Sequence, residues 1–266
     1  MNLSAQDFDY VRQLMRSDSS NRIDDGKEYL VLARLGPVAA GEGFDNVGEL
    51  LEAIRRGDRR LRAEAVEAMT INETSFFRDP HIYATLRSHI LPELFARSPH
   101  LRIWSAAAAT GQEPYSVALM IADDFPQAGT PQVLGTDLSR RALARAESGE
   151  FTQLEVNRGL PARSLVRHFT QSGRTWRIDE KLRRQVRFQY LNLAGPWPQL
   201  PAQDLILLRN VLIYFDEATR QHVFARAAQQ LRPGGFLVLG SSEALPVGSA
   251  PVERVMLGRT LCYRAA

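Results

Sequence analysis

The stretch Leu101-Arg102-Ile103-Trp104-Ser105-Ala106-Ala107-Ala108-Ala109-Thr110-Gly111-Gln112-Glu113-Pro114-Tyr115-Ser116 decides the fold. An apolar strand, Leu101 to Ser105, runs into a turn of small side chains, Ala106 to Gly111, and then into a helix expected from about Pro114 to Phe125. That order brings backbone N–H groups and a helix N-terminus against a nucleotide cofactor in parallel α/β folds. Alanines, a threonine and a glycine let the backbone approach a ligand closely, where larger side chains would fill the space. Small residues between a strand and a helix serve close packing equally well, so the turn alone leaves both readings open.

Downstream, a strand Gln132–Thr136 precedes a helix Ser139–Ala146, and apolar runs follow at Val186–Leu191 and Leu205–Leu208. A helix Glu217–Leu231 stops at Pro233-Gly234-Gly235 before a strand Phe236–Leu239, and the β-type residues from Arg254 to Tyr263 suit an antiparallel closing strand. This alternation predicts parallel strands joined by crossover helices. One stretch interrupts it. Between about Glu155 and Arg184 a short helix is followed by His168–Ile178, with Ser172-Gly173 at its centre, the pattern of a β-hairpin.

Upstream, Phe8, Val11, Leu14 and Met15, and later Leu50, Leu51 and Ile54, fall at helical spacing, with Gly36-Pro37 and Gly41 to Gly43 as punctuation between about four helices. Periodicity stops between Thr70 and Pro80, and a helical stretch His81–Leu91 then leads through Pro92 and Pro99 to the first strand. The expected class is α/β. A small helical domain covers 1–70, a linker and lead-in helix 71–98, and a doubly wound, Rossmann-like sheet 99–266, with an antiparallel β insertion at about 160–184. A chain of 266 residues has room for one full α/β domain and a smaller one.

The start, Met1 to Tyr10, is polar and acidic, and no later apolar run approaches the roughly 18 residues of a membrane span. A cytoplasmic protein without direct membrane insertion is expected. Cys262 is the single cysteine, which excludes an intrachain disulfide, and His81, His89, His100, His168 and His222 lack ligand spacing, so no metal is expected. The net charge is only +3, but nearly all the basic residues are arginine, Lys27 and Lys181 being the lysines. Guanidinium groups suit carboxylate and phosphate partners. Genomic base composition gives the same bias.

The ligand class narrows by exclusion. No Gly-Lys-Ser/Thr is present to hold a triphosphate, and the glycine spacing of a dinucleotide fingerprint is missing, so a nucleoside without phosphates fits the turn better. Asp137, at the end of the second strand, suits the hydroxyls of a ribose. It also stands where a helix cap would, in competition with Ser139.

Three segments in order, Asn72-Glu73-Thr74-Ser75-Phe76-Phe77-Arg78-Asp79, Trp104 to Ser116, and Arg209-Asn210-Val211-Leu212-Ile213-Tyr214-Phe215, resemble the CheR family of chemoreceptor glutamate O-methyltransferases. The helical start and the inserted hairpin are similar to that family's layout. The resemblance implies a methyltransferase sheet, S-adenosylmethionine as cofactor and S-adenosylhomocysteine as product. It implies a site lined by Asn72, Thr74, Arg78, Ala107, Gly111, Glu113, Asp137, Asn192, Leu193, Arg209 and Asn210. This chain departs from the family pattern in the turn, where Ala108, Ala109 and Gln112 stand in place of a Cys or Ser and a second glutamate.

The implied reaction moves a methyl group to a glutamate oxygen. A glutamate carboxylate has an ordinary pKa near 4.3 and is already a nucleophile at neutral pH, so no general base is required. Tyr214 is the candidate for orienting the substrate carboxylate, with Arg78 as an electrostatic aid. The cytoplasmic helices of a chemoreceptor are the implied partner. A basic helix of the family's N-terminal domain meets the receptor's acidic methylation helix, for which Lys27, Arg34 and the run Arg55 to Arg62, Arg59 among them, are candidates here. The hairpin loop Thr170 to Thr175 resembles the short loop of relatives that do not bind a receptor pentapeptide. A monomer that binds no nucleic acid is expected. The rival readings are a nucleic-acid methyltransferase, against which the strand end Arg209-Asn210-Val211-Leu212 lacks the Asn/Asp-Pro-Pro-Tyr/Phe motif, and a non-catalytic S-adenosylmethionine-binding module.

Overall fold

Residues 3–245, 248 and 250–266 are described in the computed structural model; Met1 and Asn2 of the expected helical domain, and Pro246, Val247 and Ser249 of the expected sheet domain, lie outside the described residues. Packing divides the chain into two units, one of Met1–Ile71 with Tyr214–Thr219, the other of Asn72–Ile213 with Arg220–Ala266.

The first unit holds α1 (Ala5–Ser19), α2 (Glu28–Gly41), α3 (Val47–Arg55) and α4 (Arg59–Met69). Side-chain caps start three of them: Ser4, Asn46 and Asp58 accept the amides of Asp7, Glu49 and Leu61. Phe8, Val11, Leu14 and Met15 are buried as the spacing predicts. Gly36-Pro37 does not punctuate. Helix α2 runs through both residues to Gly41, because Val31, Leu35, Val38 and Ala39 bury one continuous face, and packing overrides local preference.

The second unit opens with α5 (Pro80–Thr85), a π-helical turn (Leu86–Ile90) and α6 (Leu91–Arg97), so the expected lead-in helix is continuous through a π turn and ends later, at Arg97. Then come β1 (Arg102–Ser105), α7 (Gln112–Asp124), β2 (Gln132–Asp137) and α8 (Arg140–Ser148). The insertion follows: β3 (Glu150–Thr152), α9 (Gln153–Asn157), α10 (Ala162–His168), β4 (Phe169–Ser172), β5 (Thr175–Ile178) and α11 (Glu180–Arg183). It is a three-stranded sheet, not a lone hairpin, because β3 pairs antiparallel with β5. It therefore begins about ten residues before the expected boundary.

The chain ends with β6 (Val186–Tyr190), β7 (Gln203–Leu208), a 3-10 turn (Leu212–Tyr214), α12 (Glu217–Gln229), β8 (Leu231–Leu239), β9 (Val252–Leu257) and β10 (Thr260–Ala265). The main sheet has seven strands in the order β6-β2-β1-β7-β8-β10-β9, parallel from β6 to β8, with β10 antiparallel to β8 and β9 to β10. Strand order reverses at β1 and β7, which makes their carboxyl ends the switch point where α/β sheets bind ligands.

Pro233-Gly234-Gly235 does not precede the last parallel strand but lies within it. The register of β7 against β8 shifts between Gln203 and Leu205, and Gly234 takes a positive φ of 70° there, so the tripeptide forms the irregularity instead of a stop. The core packs Ile103, Val133, Leu205 and Leu207 of the sheet against Tyr115, Leu119 and neighbours from α7. No helix is long and apolar enough to cross a membrane among the described residues.

Candidate cofactor site at the carboxyl ends of the parallel strands

The turn after β1 is fixed from both sides. Ala106 N donates to Leu207 O of β7 at 2.8 Å and Ala108 N to Thr136 O of β2 at 2.9 Å, so the turn continues the sheet's hydrogen bonding past the strand. The backbone then reverses through two left-handed residues, Ala109 at φ 46° and Gly111 at φ 95°. Gly111 is required twice over, since a Cβ there would stand 2.9 Å from Ala146 Cβ. Helix α7 starts at once, with Glu113 in its first turn.

Asp137 clamps this turn. Its Oδ2 accepts Ala109 N at 2.8 Å and its Oδ1 accepts Ser139 N at 2.9 Å, while Ser139 itself caps α8 by accepting Ala142 N at 3.0 Å. The competition for the cap is thus resolved in favour of Ser139. The two amides fix the Asp137 carboxylate at the strand end, beside the small-residue turn. Leu191 N donates to Asp137 O at 3.0 Å, which brings Asn192 and Leu193 beside the end of β2; Asn192 Oδ1 accepts Ala194 N at 3.0 Å.

Glu113 and Arg209 have a different environment. Arg209 is 4% exposed, and it donates to Glu113 Oε2 at 2.6 Å, Asp79 Oδ2 at 2.9 Å and the Arg78 carbonyl at 2.7 Å. The other Glu113 oxygen accepts Ser105 Oγ at 2.8 Å. Burial works against the guanidinium charge, but Glu113, Tyr83 and Asp79 outweigh it and raise the Arg209 pKa above its ordinary value. These two predicted site residues therefore join the start of α7, the end of β7 and the linker.

The linker is a shaped, non-helical segment. Phe77 and Asp79 take left-handed φ values of 48° and 61°, uncommon for side chains of that size. Phe76 packs its ring against Phe151 of β3 at 4.9 Å, and Phe77 N donates to Ser116 Oγ at 2.9 Å. Arg78, partly exposed, donates to Glu73 O at 3.1 Å. Asn72 and Thr74 share this segment. At the end of β7, Asn210 is left-handed at φ 55°, and its amide donates to Glu243 Oε2 at 2.6 Å.

Glu243 and Ser116 are functional candidates that the sequence did not disclose. Glu243 is 6% exposed and also accepts the Gly240 and Ile213 amides, at 2.9 and 3.3 Å, so one carboxylate shapes the ends of β7 and β8 together. Only the two serines and the one acid that follow glycine in Gly240-Ser241-Ser242-Glu243 hint at such a turn.

Lys27, Arg34, Arg59 and Tyr214 belong to the helical unit. Lys27 is exposed, with its ammonium over the Tyr29 ring at 5.8 Å. Arg34 is partly buried and holds the end of α4 by donating to Met69 O at 2.6 Å and Thr70 O at 3.3 Å; burial pushes its pKa down, with Tyr214 acting in the opposite sense. Within the basic run, Arg55 pairs with Asp7, Arg60 with Glu42 and Arg62 with Asp18, while Arg56 and Arg59 are exposed without an ion pair among the described residues. Tyr214 closes the 3-10 turn, and its carbonyl accepts Arg22 N at 2.9 Å.

A seven-stranded, mostly parallel sheet with a small-residue turn after β1 and an acid at the end of β2 makes a Rossmann-like fold of the kind that methyltransferases use. The donor set fits a nucleoside: small side chains at the turn, a carboxylate for a diol, and no lysine or glycine loop for phosphates. Residues 72–261 match the family described as CheR methyltransferase, SAM binding domain. The chain is 35% identical to chemotaxis protein methyltransferase 1 of Pseudomonas aeruginosa, with 100% of both chains covered. It is 36% identical to chemotaxis protein methyltransferase Cher2 of Pseudomonas putida, over 90% of each chain, and 32% identical to the chemotaxis protein methyltransferase of Escherichia coli, over 91% of this chain and 85% of that one. The chain belongs to the CheR methyltransferases, and its methyl donor is S-adenosylmethionine.

Proposed function

We propose that the chain transfers the methyl group of S-adenosylmethionine to glutamate side chains on the cytoplasmic helices of chemoreceptors, giving glutamyl methyl esters and S-adenosylhomocysteine. The observation that carries the reading is the clamped turn, Asp137 holding Ala109 and Ser139, in a chain that aligns from end to end with a chemotaxis methyltransferase. Bound S-adenosylmethionine supplies an electrophilic methyl carbon on a sulfonium.

The chain's own residues bind and align. Asp137 accepts the ribose hydroxyls, Ala107 and Gly111 keep the turn low enough for close approach, and Asn192 with Leu193 borders the base. Asn72, Thr74 and Arg78 receive the charged methionine end, where Arg78 pairs with a carboxylate. Asn210, held left-handed by Glu243, borders the same end of the sheet. Glu113 and Arg209 line the same site and also fix the linker against α7. Tyr214 orients the attacking carboxylate by its hydroxyl. An anionic glutamate needs alignment and desolvation rather than deprotonation. Cys262 supports this economy, being buried with its thiol pushed up to about 12 by desolvation, unsuited to a nucleophile.

On the helical unit, Lys27, Arg34 and Arg59 are proposed to meet the receptor's acid-rich helix, with Arg59 the cation least committed within the fold. The insertion ends in a two-residue turn, Gly173-Arg174, between paired Ser172 and Thr175. A receptor C-terminal pentapeptide is not expected to bind there. The deciding experiment is transfer of tritiated methyl from S-adenosylmethionine to receptor-containing membranes. Base-labile label on receptor glutamates is the expected result; label on nucleic acid, or none on receptors, overturns the reading.

A further inference from the structure

Residues 191–202, which carry the chain from β6 to β7, form no helix. In doubly wound sheets a crossover between parallel strands ordinarily lays a helix over one face. The face bearing Gly135 and Phe188 is covered, with Tyr115 of α7 packed 5.7 Å from the Phe188 ring. Side chains alternate along strands, so Arg102, Leu134 and Arg187 share the opposite face, where Gln132 pairs with Arg102 and Leu134 with Arg187.

On that face lies a cleft of about 810 Å³. Leu134, Leu200 and Pro201 give it apolar lining, and Arg102, Lys181, Arg184 and Arg187 give it positive charge, with no acidic residue among its described lining. Arg184 pairs with Glu180 at 3.1 Å; Arg102, Lys181 and Arg187 make no ion pair among the described residues. Strand β6 is the edge of the main sheet and among the described residues pairs only with β2, which leaves one side of its backbone without a neighbouring described strand.

We propose that this cleft docks an acidic, extended polypeptide segment, which adds to the outer edge of β6 and sets its carboxylates against Lys181, Arg184 and Arg187. A polypeptide is the ligand that matches both features at once. Its N–H and C=O groups continue an open sheet edge, and its alternate side chains enter the lining. Guanidinium groups select carboxylates among those side chains. A nucleic acid meets the charges but leaves the edge unmatched, and a membrane surface does not fill a concavity. Charged edges also guard against edge-to-edge association, but such protection needs neither a cleft nor an absence of acids. This surface is separate from the residues proposed for methyl transfer.

The test is fluorescence anisotropy of a labelled peptide of alternating glutamate and valine, titrated with the full chain at about 0.15 M salt. Saturable micromolar binding is expected. It weakens at least about tenfold for a glutamine-for-glutamate peptide and for the Lys181→Glu/Arg184→Glu/Arg187→Glu chain. Amide exchange in β6 slows on peptide addition, and the charge-reversed chain retains its S-adenosylmethionine affinity, which separates a lost surface from a lost fold. Binding weaker than millimolar, equal affinity for the glutamine peptide, or preference of the same residues for single-stranded DNA or anionic vesicles without β6 protection overturns the proposal.

Discussion

Asp137 and Glu113 are two carboxylates expected to serve one cofactor, and the fold gives them opposite surroundings. Asp137, at the end of β2, is half-buried and holds two backbone amides, one on each oxygen. Glu113, at the start of α7, is 8% exposed, with one oxygen on Ser105 and the other on Arg209. An acid that holds amides at a strand end shapes the turn beside it. An acid buried on an arginine joins pieces of the chain. Two carboxylates at the same end of the sheet thus differ in what the fold itself asks of them.

The comparison breaks most visibly at Arg209. Its replacement by methionine leaves Glu113 charged or protonated without its cation and frees Asp79 and the Arg78 carbonyl. Removal of one partner from a buried pair costs about 3–5 kcal/mol. Chemical denaturation of Arg209→Met is expected to show a loss of that order, together with weakened cofactor binding as the linker loosens. Stability within about 0.5 kcal/mol of the parent chain would make the pair incidental. The opposite signature belongs to Asp137→Ala. Loss of a charged acceptor costs about 1.5–3 kcal/mol of cofactor affinity, roughly tenfold to a hundredfold, with a smaller change in stability. Titration calorimetry that finds unchanged affinity removes Asp137 from the site.

What could be read from the sequence follows the range of the interaction that fixes it. Strand β1, its turn and α7 are local: small residues, hydrophobic alternation and a helix start lie within one short segment. The position of Asp137 was legible because an acid closing a second parallel strand has a defined place in such folds. The Arg209–Glu113 pair was not, since its partners stand 96 positions apart and neither carries a local pattern of its purpose. Strand β3 escaped for a similar reason. Its three residues are too short for a period, and only the antiparallel partner β5 makes them a strand. Pro233-Gly234-Gly235 read as a boundary because local chemistry favours one, while pairing with β7 carried the strand through it. Glu243 was silent because its three partners are backbone amides, which have no side-chain identity to read.

Tyr214 sharpens the comparison by separating alignment from binding. Phenylalanine at this position removes only the hydroxyl. If that group orients the substrate carboxylate, turnover falls by about tenfold, the worth of one ordinary hydrogen bond, while S-adenosylmethionine affinity stays within about twofold. In Asp137→Ala the larger loss falls on affinity instead. Equal turnover for Tyr214→Phe leaves the tyrosine as a packing residue of the helical unit.

The smallest effect belongs to a third carboxylate, Asp18, at the solvent end of the series. Arg62 grips it with Nε on Oδ2 at 2.7 Å and Nη2 on Oδ1 at 2.5 Å, yet both side chains remain partly exposed. The hydrogen bonds from Arg62 hold the Asp18 carboxyl below its ordinary value, with burial opposing and Ser17 assisting. A depressed pKa in the folded chain means that the unfolded chain binds the proton more readily. The pair's stabilisation is therefore complete above the unfolded value, near 3.9, and is lost as pH falls through the folded one. Because water screens the pair, Asp18→Asn is expected to cost no more than about 1 kcal/mol at pH 7. Urea unfolding of the two chains should show that gap narrowing as pH drops below about 4. A gap that is unchanged by acidification would mean that Asp18 acts as a neutral hydrogen-bond acceptor, and that geometry rather than charge joins α1 to α4.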